Sequence, residues 1–507
     1  MKKSTKFSWS ILLLALPVLF MMSGCKKFLD RKPLTATLDD IKQGGIESLV
    51  FGIYGSTGGY GQPGEGFSGL QWLSLHSVRS DDAEKGSYAN DQADMTAIFD
   101  RFTYSKDFWL SNGYWDGHFG IIHLANTALQ TADSLKLEGI DSRANIAEAK
   151  FFRAFAYFDL VRVFGEVPKI DFRIYNAAQA NKPKATIPEI YALIDADLQY
   201  ATANLPATWG NKYPGRLTSG AARTLWAKAH LYRGDFGSAL IQCDQVISSN
   251  QYSLYSSYYG IFKDAGENCS ESILEWQNYM GPNRTDDHGS WYSSVQGVRG
   301  SSASGWNLGW GFNVPTDNFV NSFDADDPRK ASTVLSSGKS DDPSTGGYGK
   351  TLPEWEGATP PGTMFCKYYN KKVYADPAMQ QSTGWLDGSY WINQRIYRYA
   401  DVLLMAAECL NEGSAGGSAV ILVNQVRARV GLSPIIHTTQ AATRAAIKKE
   451  RRSELGMEGE RFFDLVRWGD AVSVLGPLGY TNRCRFFPIP QGAIDRSNNV
   501  LTQNPEW

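Results

Sequence analysis

Residues 218–249 read TSGAARTLWAKAHLYRGDFGSALIQCDQVISS. Ala227 is small, Gly234 stands at a turn, Phe236 follows it, and Ala239 is small again. Small residues let two paired helices approach, and the glycine supplies the turn between them. The stretch therefore predicts a helical hairpin. Residues 401–430 (DVLLMAAECLNEGSAGGSAVILVNQVRARV) repeat the pattern more loosely, and residues 146–197 predict a third hairpin. In residues 146–163 (IAEAKFFRAFAYFDLVRV), Phe151, Phe155 and Phe158 share one side and Phe152, Ala156 and Leu160 another. A helix that is apolar on more than one face should be sandwiched between neighbours. Gly165 and Pro168 end it, and Pro188 after Thr186 opens the next helix.

The spacing is that of a tetratricopeptide repeat. Three hairpins predict a mainly α fold: a tetratricopeptide-like helical repeat scaffold over about 117–250 and 395–470, with further helices at 121–133 and 443–455. Generic helical packing without true repeats is the alternative on pattern alone. The array is interrupted. Residues 268–361 and 368–387 carry Gly, Ser, Pro, Asp and Trp with little periodicity, and residues 55–69 are laden with Gly. A structureless, loop-rich insertion as long as 268–390 is expected to be functional rather than slack.

With 507 residues, 43% hydrophobic, the chain can bury a large core as one big domain or two closely packed ones. Its net charge of −2 lacks the basic footprint of a nucleic-acid binder. The 15 Trp, 25 Tyr and 25 Phe include many in Gly- and Ser-rich stretches, where a packed core is hardest to build, so exposed aromatic surface is expected.

The first residues form a leader. Lys2, Lys3 and Lys6 precede an apolar run at 11–22 (ILLLALPVLFMM), too short to span a bilayer, and Ser23-Gly24-Cys25 follows. Met-Ser-Gly-Cys is similar to a lipobox. That likeness implies a signal peptide at 1–24, lipid on Cys25, a tether over 25–37, and a single body from 38 to 507. A plain secretory signal with an incidental cysteine is the alternative. The other five cysteines form no C-x-x-C pair, so neither a disulfide framework nor a zinc site is expected, and Cys243 and Cys409 read as core.

Catalytic patterns are missing. There is no H-E-x-x-H and no G-x-S-x-G. Gly349-Lys350-Thr351 ends like a phosphate-binding loop, but Ser344 occupies the place of its first glycine, so it reads as an ordinary loop. Asp81-Asp82 and Asp326-Asp327 read as helix caps or solvated turns rather than acid/base pairs. No cofactor, metal or catalytic residue is implied.

Five stretches carry a resemblance to a known family: CKKFLDRKP; AEAKFFRAFAYFDLVRVFGEVP; VPTDNFVNSFDADDPRK; ERRSELGMEGERFFDLVRWGD; and FFPIPQGAIDRSNNVLTQNPEW. In this order they resemble the SusD/RagB family of outer-membrane lipoproteins. The resemblance implies four helical repeats with an irregular region packed on them. It implies a non-catalytic protein that captures oligosaccharides, or peptides in some branches, and acts as the lid of a SusC-like TonB-dependent transporter. Outer-membrane attachment facing the cell exterior is implied too. Lys26 and Lys27 depart from the acidic residues that commonly mark surface export. The charged residues of 450–470 read as paired helix turns, with Phe462, Phe463 and Trp468 in the core.

Sugar rings present apolar C–H faces and a rim of hydroxyls, so aromatic faces beside Asn, Asp and Arg suit them. In the family, the ligand surface combines an early loop with the central insertion. The candidates here are Arg79, Tyr88 and Asn90 in the first region, and Trp291, Tyr292, Trp306 and Trp310 in the second. Trp72, Trp109 and Trp115 look helical and are expected in the core. A peptide-capturing lid, a surface glycoside hydrolase and a tetratricopeptide adaptor are the rival readings.

Overall fold

The computed structural model describes residues 45–58, 65–210, 213–279, 289, 291–357, 362–382 and 391–507. Cys25, the leader and the tether lie outside them. Residues Ile46–Trp507 form one compact unit.

The stretch at 218–249 folds as the hairpin its pattern predicts. The principal helices are α1 (Glu47–Ser56), α2 (Trp109–Ser134), α3 (Ile140–Phe164), α4 (Ile187–Asn204), α5 (Ser219–Tyr232) and α6 (Phe236–Ser248). After the insertion come α7 (Trp291–Gln296), α8 (Tyr399–Glu412), α9 (Gly416–Arg429), α10 (Gln440–Leu455) and α11 (Arg461–Trp468). Thr218 and Asp235 cap α5 and α6, accepting from the amides of Ala221 and Ser238 at 3.2 and 3.1 Å. Between them Gly234 takes φ +72°, the left-handed conformation that favours glycine. Ala227 and Ala239 are fully buried where the helices meet. The hairpins α2/α3, α5/α6 and α8/α9 stack through neighbouring pairs, which is the mainly α, repeat-like architecture expected.

Helix α3 is central. Phe151, Phe152, Phe155 and Phe158 are all buried, on faces pointing several ways. Thr186 and Glu189 form a reciprocal capping box at the start of α4. Helix α2 is longer than the predicted 121–133 because residues 109–120 are helical too. Trp72 and Trp115 are core as expected. Trp109 is not: it opens α2, stays 45% exposed, and its indole N–H donates to Gln92 Oε1 at 3.2 Å.

The insertion is not structureless. It holds one short antiparallel pair, β6 (Val334–Ser336) with β7 (Tyr368–Asn370), and gives one strand to each of two others: β5 (Phe312–Pro315) pairs with β1 (Ala83–Gly86) of the early region, and β4 (Ser272–Trp276) with β8 (Gln394–Arg398) just past it. The remaining pair joins β2 (Val167–Pro168) to β3 (Lys184–Ala185) in the scaffold. The insertion also owns a small core containing Val298, Trp306, Leu308, Leu352, Met364 and Tyr369. The loop that mimics a phosphate-binding end wraps a carboxylate of the chain itself. Asp341 accepts from the amides of Tyr348 and Lys350 and from the Tyr374 hydroxyl.

Helices α10 and α11 are tied down by buried charge. Glu454 accepts from Arg329, Arg398 and Arg429, at 3.1, 2.9 and 2.6 Å. Arg451 donates to Asp401 and Asp464 at 2.8 and 2.9 Å. Three of the four paired aspartates belong to this system, which corrects their reading as caps or solvated turns; Asp326 is exposed in a turn, as that reading has it. Asp81 pairs with Arg461 and Arg452, Asp82 with Arg452, and Asp327 with Arg329. Phe462 and Phe463 are buried, and Trp468 is half-buried with its indole N–H on Glu408.

Candidate functional site

Strand β1 delivers the early loop to the insertion. Gly86 has φ +73°, and a Cβ there would stand 2.4 Å from the Gly311 carbonyl oxygen, so only glycine lets β1 and the Gly311 turn meet. The next amide, Ser87, donates to that same carbonyl at 2.6 Å. The chain then turns through Tyr88, Ala89, Asn90 and Asp91.

Two cations hold this turn. Lys85 is buried, and its ammonium donates to the carbonyls of Tyr88 and Asp91 at 2.9 and 2.7 Å. Burial pushes the Lys85 pKa below its usual value, against the charges of Asp91 and Asp100. From the insertion, Arg299 donates to the Ser87 hydroxyl at 2.7 Å, to the Asp91 carboxylate, and to the Trp310 carbonyl at 3.2 Å. Its guanidinium lies 4.8 Å from the Tyr88 ring centre, 5.5 Å from Phe365 and 5.8 Å from Trp310. Tyr88 meets Phe365 edge to face at 5.6 Å, and Trp310 stacks on Trp291 at 6.3 Å with only 16° between planes.

Tyr88, Trp291, Trp310 and Phe365 are half-buried, and Asn90 is exposed beside them. The result is a partly exposed aromatic cluster, held by one guanidinium and flanked by amide, carboxylate and hydroxyl groups. Through Gln92 the same loop touches the exposed indole of Trp109. Four cavities of about 290, 340, 450 and 470 Å³ lie elsewhere, and none is lined by Tyr88, Arg299, Trp310 or Phe365. Among the described residues, no group of three or more His, Cys, Asp or Glu is placed to hold a metal ion. Beneath the surface, burial and the charge of Glu84 push the Asp100 carboxyl up to about 8, while it accepts from the Lys85 amide at 3.0 Å.

Two family models match the chain: one described as "SusD family" over residues 270–484, the other as "Starch-binding associating with outer membrane" over residues 45–231. SusD-like protein P2 of Formosa agariphila is 31% identical over 435 residues, covering 80% of this chain and 82% of that protein. The chain belongs to the SusD family. Among solved structures, surface glycan-binding protein A from Bacteroides fluxus superposes on this SusD-family chain with a TM-score of 0.74 at 25% identity. The match covers 92% of this chain and 99% of that one. A laminarin-binding SusD-like protein gives 0.73 at 26% identity, over 91% and 99%.

Within this SusD-family fold, the seven residues expected at the ligand surface divide. Tyr88, Asn90, Trp291 and Trp310 come together. Three others do not. Arg79 has no exposed surface; its guanidinium lies 3.9 Å from the Phe462 ring centre and its Nε donates to the Leu75 carbonyl. Tyr292 is 6% exposed and packs edge to face on Trp72 at 6.1 Å. Trp306 is 8% exposed and belongs to the insertion's own core. Composition misled here: Gly and Ser next to Trp306 cannot bury it, but Met364, Leu352 and Tyr369, brought from later in the chain, can. Arg299, Asp91, Phe365 and Trp109 were missed. Asp91 follows directly on Tyr88-Ala89-Asn90, so continuing that polar turn would have found it. Nothing local marks Arg299 or Phe365.

Proposed function

We propose that this chain is a cell-surface nutrient-binding lipoprotein that captures oligosaccharides on the Tyr88–Trp291–Trp310 surface. It acts as the lid of a SusC-like TonB-dependent transporter and performs no chemistry on the ligand. Cys25 carries the lipid that anchors it to the outer membrane, facing the cell exterior. The observation that carries the reading is the aromatic platform. The half-buried rings of Tyr88 and Trp310 gather around Arg299, the kind of surface that suits apolar sugar faces, while Asn90 and Asp91 offer groups for hydroxyls. Family membership, and the glycan-binding names of relatives at 25% and 26% identity, support the ligand class. The description of one matching model as associating with the outer membrane supports the location.

Calorimetry of the purified protein against a panel of glycans, laminarin among them, and of peptides tests this. Glycan retained unchanged, with affinity reduced about tenfold or more in Trp310→Ala, is the expected result, aromatic anchors at binding surfaces being worth about 2 kcal/mol. Cleaved glycan would mean an enzyme. Peptide binding alone would mean a peptide lid.

A further inference from the structure

The helical scaffold holds a cavity remote in sequence from the aromatic surface. Helices α3, α4, α5 and α11, with Arg485 and Phe486, enclose about 450 Å³. Much of the wall is apolar, including Val161, Ile187, Ala192 and Val466. Its charge is one-sided: Arg162, Arg233, Arg467 and Arg485 face a single carboxylate, Asp195.

Some of that charge is answered inside the protein. Arg233 makes two contacts with Asp195, at 2.7 and 2.9 Å. Arg467 is taken by Glu408 and Asp464. Two groups keep free capacity. Arg485 is exposed, lies 5.0 Å from the Phe486 ring centre, and has no carboxylate partner among the described residues. Arg162 offers none: its side chain is 5% exposed, its terminal nitrogens pair with Asp159 and Glu460, and its Nε–H, though without an acceptor, is buried out of reach of the cavity. Tyr191 lines the cavity at 7% exposure, and its hydroxyl makes no hydrogen bond with any described residue. Burial pushes the Tyr191 pKa up to about 12, while the charges of Arg162, Arg233 and Arg485 all pull it down. Arg162, Arg233 and Arg485 line the same cavity as this unpartnered hydroxyl.

Charge-assisted hydrogen bonds to an anion are the strong ones. The apolar wall would leave a sugar's hydroxyls unsatisfied, and the volume is far larger than an inorganic ion needs. We propose that this cavity binds a small carboxylate ligand with an apolar or aromatic body. Its carboxylate sits between the Tyr191 hydroxyl and the guanidinium group of Arg485. This site is independent of the glycan reading.

Calorimetry with phenylacetate, glucuronate, inorganic sulfate and neutral 2-phenylethanol tests it. Phenylacetate should bind, 2-phenylethanol should not, and glucuronate and sulfate should bind at least tenfold more weakly. Tyr191→Phe and Arg485→Gln should each weaken phenylacetate about tenfold, the size of one charge-assisted hydrogen bond. Both variants should keep the wild-type melting temperature and glycan affinity, because one keeps the buried ring and the other alters an exposed side chain. The proposal is overturned by no phenylacetate binding at about 10 mM, a Kd that still corresponds to weak but measurable association. It is equally overturned by sulfate or glucuronate binding as tightly as phenylacetate, or by unchanged affinity in both variants.

Discussion

Around Glu454, three guanidinium groups from Arg329, Arg398 and Arg429 close on one buried carboxylate. Around Arg299, one guanidinium is ringed by the half-buried side chains of Tyr88, Trp310 and Phe365. Both regions are organised by arginine, but the first spends its hydrogen bonds inward. Every arginine about Glu454 also meets a second acid: Asp327 and Glu450 for Arg329, Glu271 for Arg398 and Arg429. Little remains there for a ligand. At Arg299 the hydrogen bonds fix a turn and a carbonyl, and the rings around it remain only half-buried. Buried polar groups must be satisfied from within, whereas a flat ring can stay partly wet at small cost. The same residue type therefore makes a rivet in one place and a platform support in the other.

The largest effect that could break this contrast is on the rivet. Glu454→Gln keeps the shape but leaves three buried guanidinium groups short of charge. Urea unfolding should show a loss of about 3–5 kcal/mol, as when one partner of a buried pair is removed. A loss below about 1 kcal/mol would mean these cations are effectively solvated, and the contrast would fail. Burial raises the Glu454 pKa, but Arg429, Arg398 and Arg329 outweigh it and hold the carboxyl well below its usual range. The stability it contributes is present above the unfolded carboxyl pKa and is lost as pH falls through the folded one.

Next in size is the split between two tryptophans four residues apart. Trp306→Ala empties part of the insertion's core and should cost about 3–5 kcal/mol in the same assay. Trp310→Ala should cost much less stability than Trp306→Ala while carrying the larger direct loss of glycan affinity. Equal stability losses would erase the boundary between core and platform.

The smallest effect concerns Asp100, beneath the platform. Its folded pKa of about 8 lies above the unfolded value of 3.8, so the folded state holds an extra proton between them. Stability should therefore fall as pH rises from about 4 to about 8. Thermal melts should show Asp100→Asn gaining on wild type from pH 5 to pH 8. A pH-independent difference would refute the assignment.

The helical hairpins were legible because helix periodicity, turn glycines and small interface residues are local signals. Thr218, Gly234 and Thr186 each do in the fold what their neighbourhood in sequence implies. The aromatic platform was half legible. Trp310 and Tyr88 lie in loops whose composition marks them as exposed, and the structure brings them to one guanidinium. Arg79, Tyr292 and Trp306 read the same way and are buried, since burial depends on residues that arrive from far along the chain. Trp109 failed in reverse: a helical residue with the right spacing is still exposed when it opens the helix.

By itself the sequence determined the helical scaffold, the place of the interruption, and a family pattern spread along the chain, because these rest on spacings of a few residues. Only the tertiary structure decided which aromatic rings stay partly exposed. It pairs Lys85 and Arg299 around one turn across more than 200 positions, and it carries Met364 and Tyr369 back over Trp306. No local pattern encodes such contacts, because exposure belongs to the packed whole and not to the segment.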